Sequence, residues 1–395
     1  MARGRGGFIG QDGLNAPDSP TSVSGTAGDQ QVSVAFTAPT DVGGSAITGF
    51  RAQSNTGVGA SGTSSPINVT GLSNGTSYTF NVWAINAFGY SAPSDASGSV
   101  SPAAPIGLFA GGRTTGAGSS ATNVIDFITL SSAGNTTDFG DLTVTRFELF
   151  KGSAGSSTRG LFIGGENAAG TKQDVVDYIT FTSAGNATDF GNLSTARHMG
   201  GSSSNGTRAL AAGGNDSLVI DYFTIASTGN ATNFGNLTAA YKTVNVSSLA
   251  SNTRAVFGSD SDGSSNVMSY VTIASTGNAA DFGDLLSSVQ KIGAGSDTTR
   301  GIWTGGIPSN VIQYITIAST GNATDFGDLT ASSEDNTAVT NSTKMAISLA
   351  SSASAIVNTI DQITIQTTGN ASDFGDLSTA RQSTGGASSV HGGLS

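Results

Sequence analysis

The sequence predicts an all-β protein, a small sandwich followed by a repeat array of four-stranded sheets, and three observations carry that expectation. One phrase is written six times: SSAGNTTDFGDL (131–142), TSAGNATDFGNL (182–193), ASTGNATNFGNL (226–237), ASTGNAADFGDL (274–285), ASTGNATDFGDL (318–329) and QTTGNASDFGDL (366–377). Its phenylalanines, Phe139, Phe190, Phe234, Phe282, Phe326 and Phe374, are 51, 44, 48, 44 and 48 residues apart. Such a period marks a solenoid or a propeller, because one unit of that size cannot bury its own faces and must stack on its copies. Residues 17–102 read instead as short alternating strands between turn clusters. Composition agrees with both: 56 of the 395 residues are Gly, 11% are charged, and no long apolar run occurs.

The same numbers exclude several function classes. A net charge of −11 argues against nucleic-acid binding, which needs a clustered basic surface, and the lack of a long apolar run argues against membrane insertion. With no Cys there is no disulfide, thiol nucleophile or thiolate metal site. The first residues, MARGRGGFIGQDG, carry two arginines and no apolar stretch of the secretory kind, so export is expected by another route such as release on host lysis. Residues 1–16 read either as a disordered terminus or as a docking arm. In the second reading Arg3 and Arg5 meet a polar groove and Phe8 and Ile9 anchor in a partner.

Within 17–102 the strands are VSVAF (32–36), AITGFRAQ (46–53), PINVTGL (66–72) and SYTFNVWAIN (77–86). In the last, Tyr78, Phe80, Val82 and Ala84 share one face while Thr79, Asn81 and Trp83 share the other, as in a strand with one face in a core. The stretch resembles a fibronectin type III domain through Pro39, Gly43-Gly44, Ile47-Thr48-Gly49-Phe50, Leu72 six residues before Tyr78, then Asn86, Gly89 and Pro93-Ser94. The resemblance implies that Tyr78 is a tyrosine corner bonded to upstream backbone, and that Phe36 takes the place of the family's usual Trp. No Arg-Gly-Asp tripeptide occurs, so a spacer role is expected rather than integrin-type adhesion.

SPAAP (101–105) is a semi-rigid linker, and the array, 103–395, begins directly after it. One unit reads as an apolar strand ending in a glycine pair (GLFIGG, 160–165), a variable loop, an alternating strand (VVDYITF, 175–181), the repeated turn, and LSTAR (193–197) before an innermost strand. The unit resembles a divergent kelch repeat. The pair recurs at Gly111-Gly112, Gly213-Gly214 and Gly305-Gly306, decays to Ser259-Asp260, and is lost near Leu349-Ala350. The alternating strand keeps Asp126, Asp177, Asp221, Ser269, Gln313 and Asp361 in one column, followed by Phe127, Tyr178, Tyr222, Tyr270, Tyr314 and Gln362. These aromatics, with Trp303, Phe109, Phe162 and Phe257, are expected in the core. Six turns, five internal innermost strands and one spare strand within 377–395 make six blades only if the C-terminal strand pairs with Ile106–Gly111. The expected fold is therefore a six-bladed kelch-like β-propeller closed by its C-terminal strand.

A meander puts successive turns at opposite ends. Arg159, Arg208, Arg254, Arg300 and Lys344 fall at the end of the Asp-Phe-Gly turns, where pairing with Asp138, Asp189, Asp281, Asp325 or Asp373 is expected. Arg146, Arg197 with its neighbour His198, Lys242, Lys291 and Arg381 fall at the other end, beside loops of unlike length. Unlike loops on a repeated framework suggest recognition, so these residues either contact a ligand or tie adjacent blades together.

Catalytic chemistry is sparse. Two His and no Cys cannot build the copper and thioether site of kelch-type oxidases, and the Ser-x-Asp-x-Gly-x-Thr-Trp box of sialidases is missing. Asp260-Ser261-Asp262-Gly263 with Asn266 lacks the distant bidentate Glu of a calcium loop, so neither a metal nor a cofactor is expected. The Asn-x-Thr triplets at Asn135, Asn186, Asn230 and Asn322 belong to the repeated turn. Arm, spacer and propeller together resemble the appendage proteins of tailed phages. That resemblance implies a non-enzymatic virion surface or tail-associated protein whose partners are other virion proteins, through the arm, and a host-surface glycan. The alternatives are a secreted glycan-active enzyme and a purely structural capsid decoration protein.

Overall fold

The structure is a computed structural model that describes residues 15–215, 217–238, 245–258, 265–307, 309–352 and 355–394. It divides into two compact parts, 1–105 and 106–395. Both are built of antiparallel sheets, with no α-helix among the described residues. In the first part a three-stranded sheet (Thr21–Gly28, Gln31–Thr37, Ile67–Thr70) faces a four-stranded one (Gly59–Gly62, Gly49–Ser54, Phe80–Asn86, Gly89–Tyr90). The alternation read from the sequence fills the space between them: Val32, Val34 and Phe36 meet Phe50, Ala52, Phe80, Val82 and Ala84 in one buried cluster. Phe36 and Phe50 rings lie 4.8 Å apart, and the Ser73 N–H donates to the Tyr78 hydroxyl at 3.1 Å, the expected upstream bond.

The second part holds six meanders, one per repeat of the phrase. Five have four strands: the first, for example, orders Thr137–Asp141, Val124–Thr129, Ile106–Ala110 and Gly385–Ser388. The C-terminal strand is thus the inner neighbour of the first strand of the array, in register from Gly385 opposite Ala110 to Ser388 opposite Gly107. The second unit departs from expectation. Its inner segment near 147–153 is not a regular strand but a series of isolated bridges, Phe147 to Glu166, Lys151 to Gly201 and Ser153 to Gly386. A lysine stands there among inner strands that are otherwise uncharged, three of them made of small residues alone (GSSS, GAGS, GGAS), and at Gly152 the chain turns at φ 106° against the carbonyls of Ser202 and Ser248.

The repeated phrase acts as a clasp between successive units. In every copy the phenylalanine is the extra residue of a β-bulge, so Asp138 pairs with Asp126 and Gly140 with Ile125 while Phe139 pairs with neither. The carbonyl so released accepts an N–H from the phrase of the next unit: Gly185 to Phe139, Gly229 to Phe190, Gly277 to Phe234, Gly321 to Phe282 and Gly369 to Phe326, all at 2.7–2.8 Å. Gly134 of the first copy donates in turn to Phe374 of the sixth. A second bond runs alongside, in which the Asn side chain accepts the N–H that follows the Asp-Phe-Gly, as from Asp141 to Asn186 and from Asp376 to Asn135, both 3.1 Å. The glycine of Asp-Phe-Gly is required twice over: its φ lies at 140–157°, and a Cβ on it would collide with the next copy's glycine carbonyl. The asparagine therefore serves a bond to another unit, not only its own turn.

After the closing strand, residues 389–394 cross the far ends of other inner strands. Gly392 N–H donates to Ser296 O, Gly393 lies against Ser204, and His391 Nε2 is 3.2 Å from the Ser204 hydroxyl. Burial lowers the His391 pKa to about 4, opposed only by a bond to the Gly155 backbone. In the unfolded chain the same imidazole takes up its proton near pH 6.5, so its contribution to stability is complete above that pH and falls away on acidification. Between pH 6.5 and 4 the loss reaches about 3 kcal/mol. Melting temperature recorded from pH 7.5 to 4.5 should fall more steeply for the native protein than for H391Q, and parallel curves would show that the tail is not held as described.

Candidate functional site

Arg146, Arg197 and Arg381 are not at a surface: each is 0–1% exposed. Arg146 Nη2 pairs with Asp177 Oδ2 at 2.9 Å while Nη1 donates to the carbonyls of Gly164 and Val175. Arg197 pairs with Asp221 at 2.6 Å and Arg381 with Asp126 at 3.2 Å, in the same register. Burial lowers the pKa of all three guanidiniums and the carboxylate partner opposes it. The backbone carbonyls of Arg146 and Arg197 accept N–H groups from Gly112 and Gly165 of the preceding units. Each of these arginines thus fastens one unit to the next. The ligand role expected of them is corrected: a guanidinium sealed in this way, with a charge-assisted partner and carbonyls on both sides, has nothing to offer a ligand.

The other basic column is corrected as well. Arg159, Arg208, Arg254 and Arg300 pair with no aspartate among the described residues; they lie over the rings of Tyr178, Tyr222, Tyr270 and Tyr314 at 4.3–4.8 Å. Each donates to a carbonyl of the following unit, at Ile225, Ile273, Ile317 and Ile365. The turn aspartates remain exposed, where solvent would screen a pair, whereas the flat guanidinium gains a ring face and a carbonyl together. In the sixth unit both members change at once, and Lys344 Nζ meets Gln362 Oε1 at 3.3 Å.

Lys291 does not share the register of the buried arginines. It stands two residues later, where six units each place a residue in the left-handed region: Glu148, Met199, Asn245, Lys291, Asp335 and Ser383, with φ between 54° and 72° and none of them glycine. They are linked by backbone: Glu148 N–H to Ser383 O, Met199 N–H to Glu148 O, Val246 N–H to Met199 O and Asp335 N–H to Lys291 O. Charges from separate units meet here. Lys291 Nζ is 3.1 Å from Glu334 and 3.6 Å from Asp335, whose other oxygen takes the buried Lys151 ammonium at 3.1 Å. Burial would push the Asp335 carboxyl up, but Lys151 and Lys291 outweigh it and hold it below the usual carboxylate range. Burial likewise works against the Lys291 ammonium, and Asp335 and Glu334 reverse it, so its pKa is raised.

His198 belongs to the same cluster. Its Nδ1 lies 2.7 Å from Glu148 Oε2 and 3.3 Å from Glu166 Oε2, and Arg113 Nη2 lies 3.8 Å from Glu148 Oε1. Arg113 and Glu166 are the first residues after two of the glycine pairs, so the unlike loops deliver side chains to this end. Sequence reading found His198 and Lys291 and missed Glu148, Glu166, Glu334, Asp335, Lys151 and Arg113. The column of left-handed residues has no common residue type that would have marked it. Lys242, the arm residues Arg3, Arg5, Phe8 and Ile9, and the whole of the acidic stretch 260–263 that precedes Asn266 lie outside the described residues.

No curated protein matches the chain. Residues 17–99 match the fibronectin type III domain family. A crystal structure of a run of domains from titin aligns with 30% identity and a TM-score of 0.21, over 22% of this chain and 32% of that one. This chain therefore spans about a third of the titin chain's length. With two facing antiparallel sheets and the hydroxyl of Tyr78 bound to upstream backbone, residues 17–99 are a fibronectin type III domain.

Proposed function

We propose that residues 103–395 form a six-bladed kelch-like β-propeller and that the chain is a non-enzymatic appendage of a phage virion, its arm docked on the particle and its propeller holding a host-surface glycan. The ring reading is supported by the clasp that runs from each copy of the phrase to the next and from the first back to the sixth, and by the C-terminal strand beside Ile106–Ala110. The binding role rests on one observation. Six left-handed, non-glycine residues gather at the end where the unlike loops lie, and strain of that kind, at about 1–3 kcal/mol per residue and held by the bonds between units, clusters at functional sites. Lys291 is partly exposed there beside Glu334 and within electrostatic reach of Glu148, which in turn meets His198 and Arg113, a mixture that offers a cation to a sugar carboxylate and acceptors to sugar hydroxyls. The virion assignment rests on the architecture and the Gly/Ser/Thr-rich, Cys-free composition.

The full chain on an acidic-glycan array should bind, and K291A should remain folded, with a melting temperature lowered by the loss of its pairs with Glu334 and Asp335, and bind at least tenfold more weakly. Reducing-end release from the bound glycans would replace this reading with that of a glycan-active enzyme. Deleting residues 1–13 should leave melting unchanged and abolish incorporation into particles. Incorporation of the shortened chain would remove the arm from the account, and binding to no glycan would leave a structural decoration protein.

A further inference from the structure

We propose that Glu148, Glu166 and His198 bind one divalent transition-metal cation, zinc by the character of the donors. Three atoms that can each give a lone pair, His198 Nδ1 and one oxygen of each carboxylate, lie within 4.8 Å of one another. Both carboxylates address the same ring nitrogen, at 2.7 and 3.3 Å, yet that nitrogen carries at most one hydrogen to share between them. A cation in place of that hydrogen satisfies all three. One imidazole with two carboxylates suits zinc, whose bonds to nitrogen and oxygen of about 2.0–2.2 Å set tetrahedral neighbours about 3.3–3.5 Å apart. The Glu166 separation already fits, and the Glu148 separation opens by about 0.6–0.8 Å through side-chain rotation.

The three ligands are held on paired backbone. Glu148 sits on the left-handed residue whose N–H goes to Ser383 O, and its own carbonyl takes the N–H of Met199, the neighbour of His198. Glu166 exchanges backbone bonds in both directions with Phe147, the neighbour of Glu148, at 2.8 and 2.9 Å. Backbone held in this way fixes the donor geometry before any metal arrives. Arg113 faces the oxygen of Glu148 that is turned away from His198, as an outer partner that leaves Oε2 to the metal, and it rests on the Phe147 ring at 4.8 Å. Ser383, whose carbonyl anchors Glu148, is fully buried with no partner for its hydroxyl, a spare polar group beside the cluster. The side chains of Glu148, His198 and Glu166 are 8%, 13% and 20% exposed, so the site is reachable, and three protein ligands leave one coordination position open.

The full chain, free of any affinity tag, would be stripped with a chelator and titrated with zinc chloride, with bound metal counted by mass spectrometry and melting followed in parallel. One zinc per chain and a rise in melting temperature are expected. E166Q, at a partly exposed position that should fold normally, is expected to weaken binding at least tenfold, and H198A to abolish it. No stoichiometric zinc on the native chain, with His198 titrating instead as a protonated bridge between the two glutamates by NMR, would overturn the proposal. So would zinc binding that survives both substitutions.

Discussion

Removing residues 382–395 is expected to cause aggregation or a fall in melting temperature of more than about 10 °C. The deletion takes away the strand Gly385–Ser388, which is the inner neighbour of Ile106–Ala110 along four residue pairs. Leu108 and Phe109, both fully buried, lie on the strand that would become an edge. The sixth unit loses partners too, because the Thr337 hydroxyl donates to Thr384 O and Thr340 N–H donates to the Ser388 hydroxyl. The tail that joins Ser204 and Ser296 would go with it. An unpaired strand edge flanked by apolar residues is a template for association with other chains. Each kcal/mol lost lowers the melting temperature of a part this size by only about 2–4 °C, so a fall of that size requires the loss of several contacts together. Light scattering and a thermal melt of the truncated chain check this. A soluble truncation that melts like the full chain would mean that the terminal strand does not complete the first unit.

That prediction was legible in the sequence because it depends on counting. Six turns, five of them Asp-Phe-Gly and one Asn-Phe-Gly, with five internal segments for inner strands and a spare at the end, leave one arrangement. The paired charges were harder to read. Arg146, Arg197 and Arg381 stand in one column and Asp177, Asp221 and Asp126 in another, and in the fifth unit both change at once, to Val289 and Gln313, although the sixth keeps Asp361 with Ser333. Correlated columns inside one chain signal contact, as correlated positions between relatives do. Read singly, a column of arginines beside unlike loops suggested a ligand. The same holds for Arg159 with Tyr178, which become Lys344 with Gln362 in the sixth unit. The left-handed residues could not be read at all. Their conformation is imposed by the bonds between units at Ser383, Glu148 and Met199, and glutamate, methionine, asparagine, lysine, aspartate and serine have no shared local preference that would announce it. The segment 147–153 stands where the order of the unit calls for an innermost strand, and the crossing at Lys151 and Gly152 depends on contacts with Ser202, Ser248 and Asp335 that lie far along the chain.

Substituting Arg197 by Val is expected to destabilise the array by about 3–5 kcal/mol, since it leaves a buried carboxylate without its cation. Arg197 Nη2 meets Asp221 at 2.6 Å, and Nη1 donates to the carbonyls of Gly213 and Val219, so three acceptors lose their donor at once. Asp221 would keep only the N–H and hydroxyl of Ser194. The chain contains its own controls for this change. In the sixth unit Ser333 stands at the arginine position, its hydroxyl donates to Leu349 O, and Asp361 keeps two bonds from Thr330. There burial pushes the Asp361 carboxyl up and the Thr330 bonds only partly oppose it, the expected state of a carboxylate without a cation. In the fifth unit both partners are exchanged: Val289 stands at the arginine position, and Gln313 replaces the aspartate and accepts the Leu286 N–H at 2.8 Å. The double variant R197V/D221Q copies that unit, and it should recover most of the stability that R197V loses, because a neutral amide can be buried beside an apolar side chain without an unpaired charge. Denaturant unfolding of the two single variants and the double variant measures the coupling. If R197V unfolds like the native protein, the arginine is not the buried tie described here. If the double variant is no more stable than R197V, the joint change of the two columns has some other cause than the pairing of these side chains.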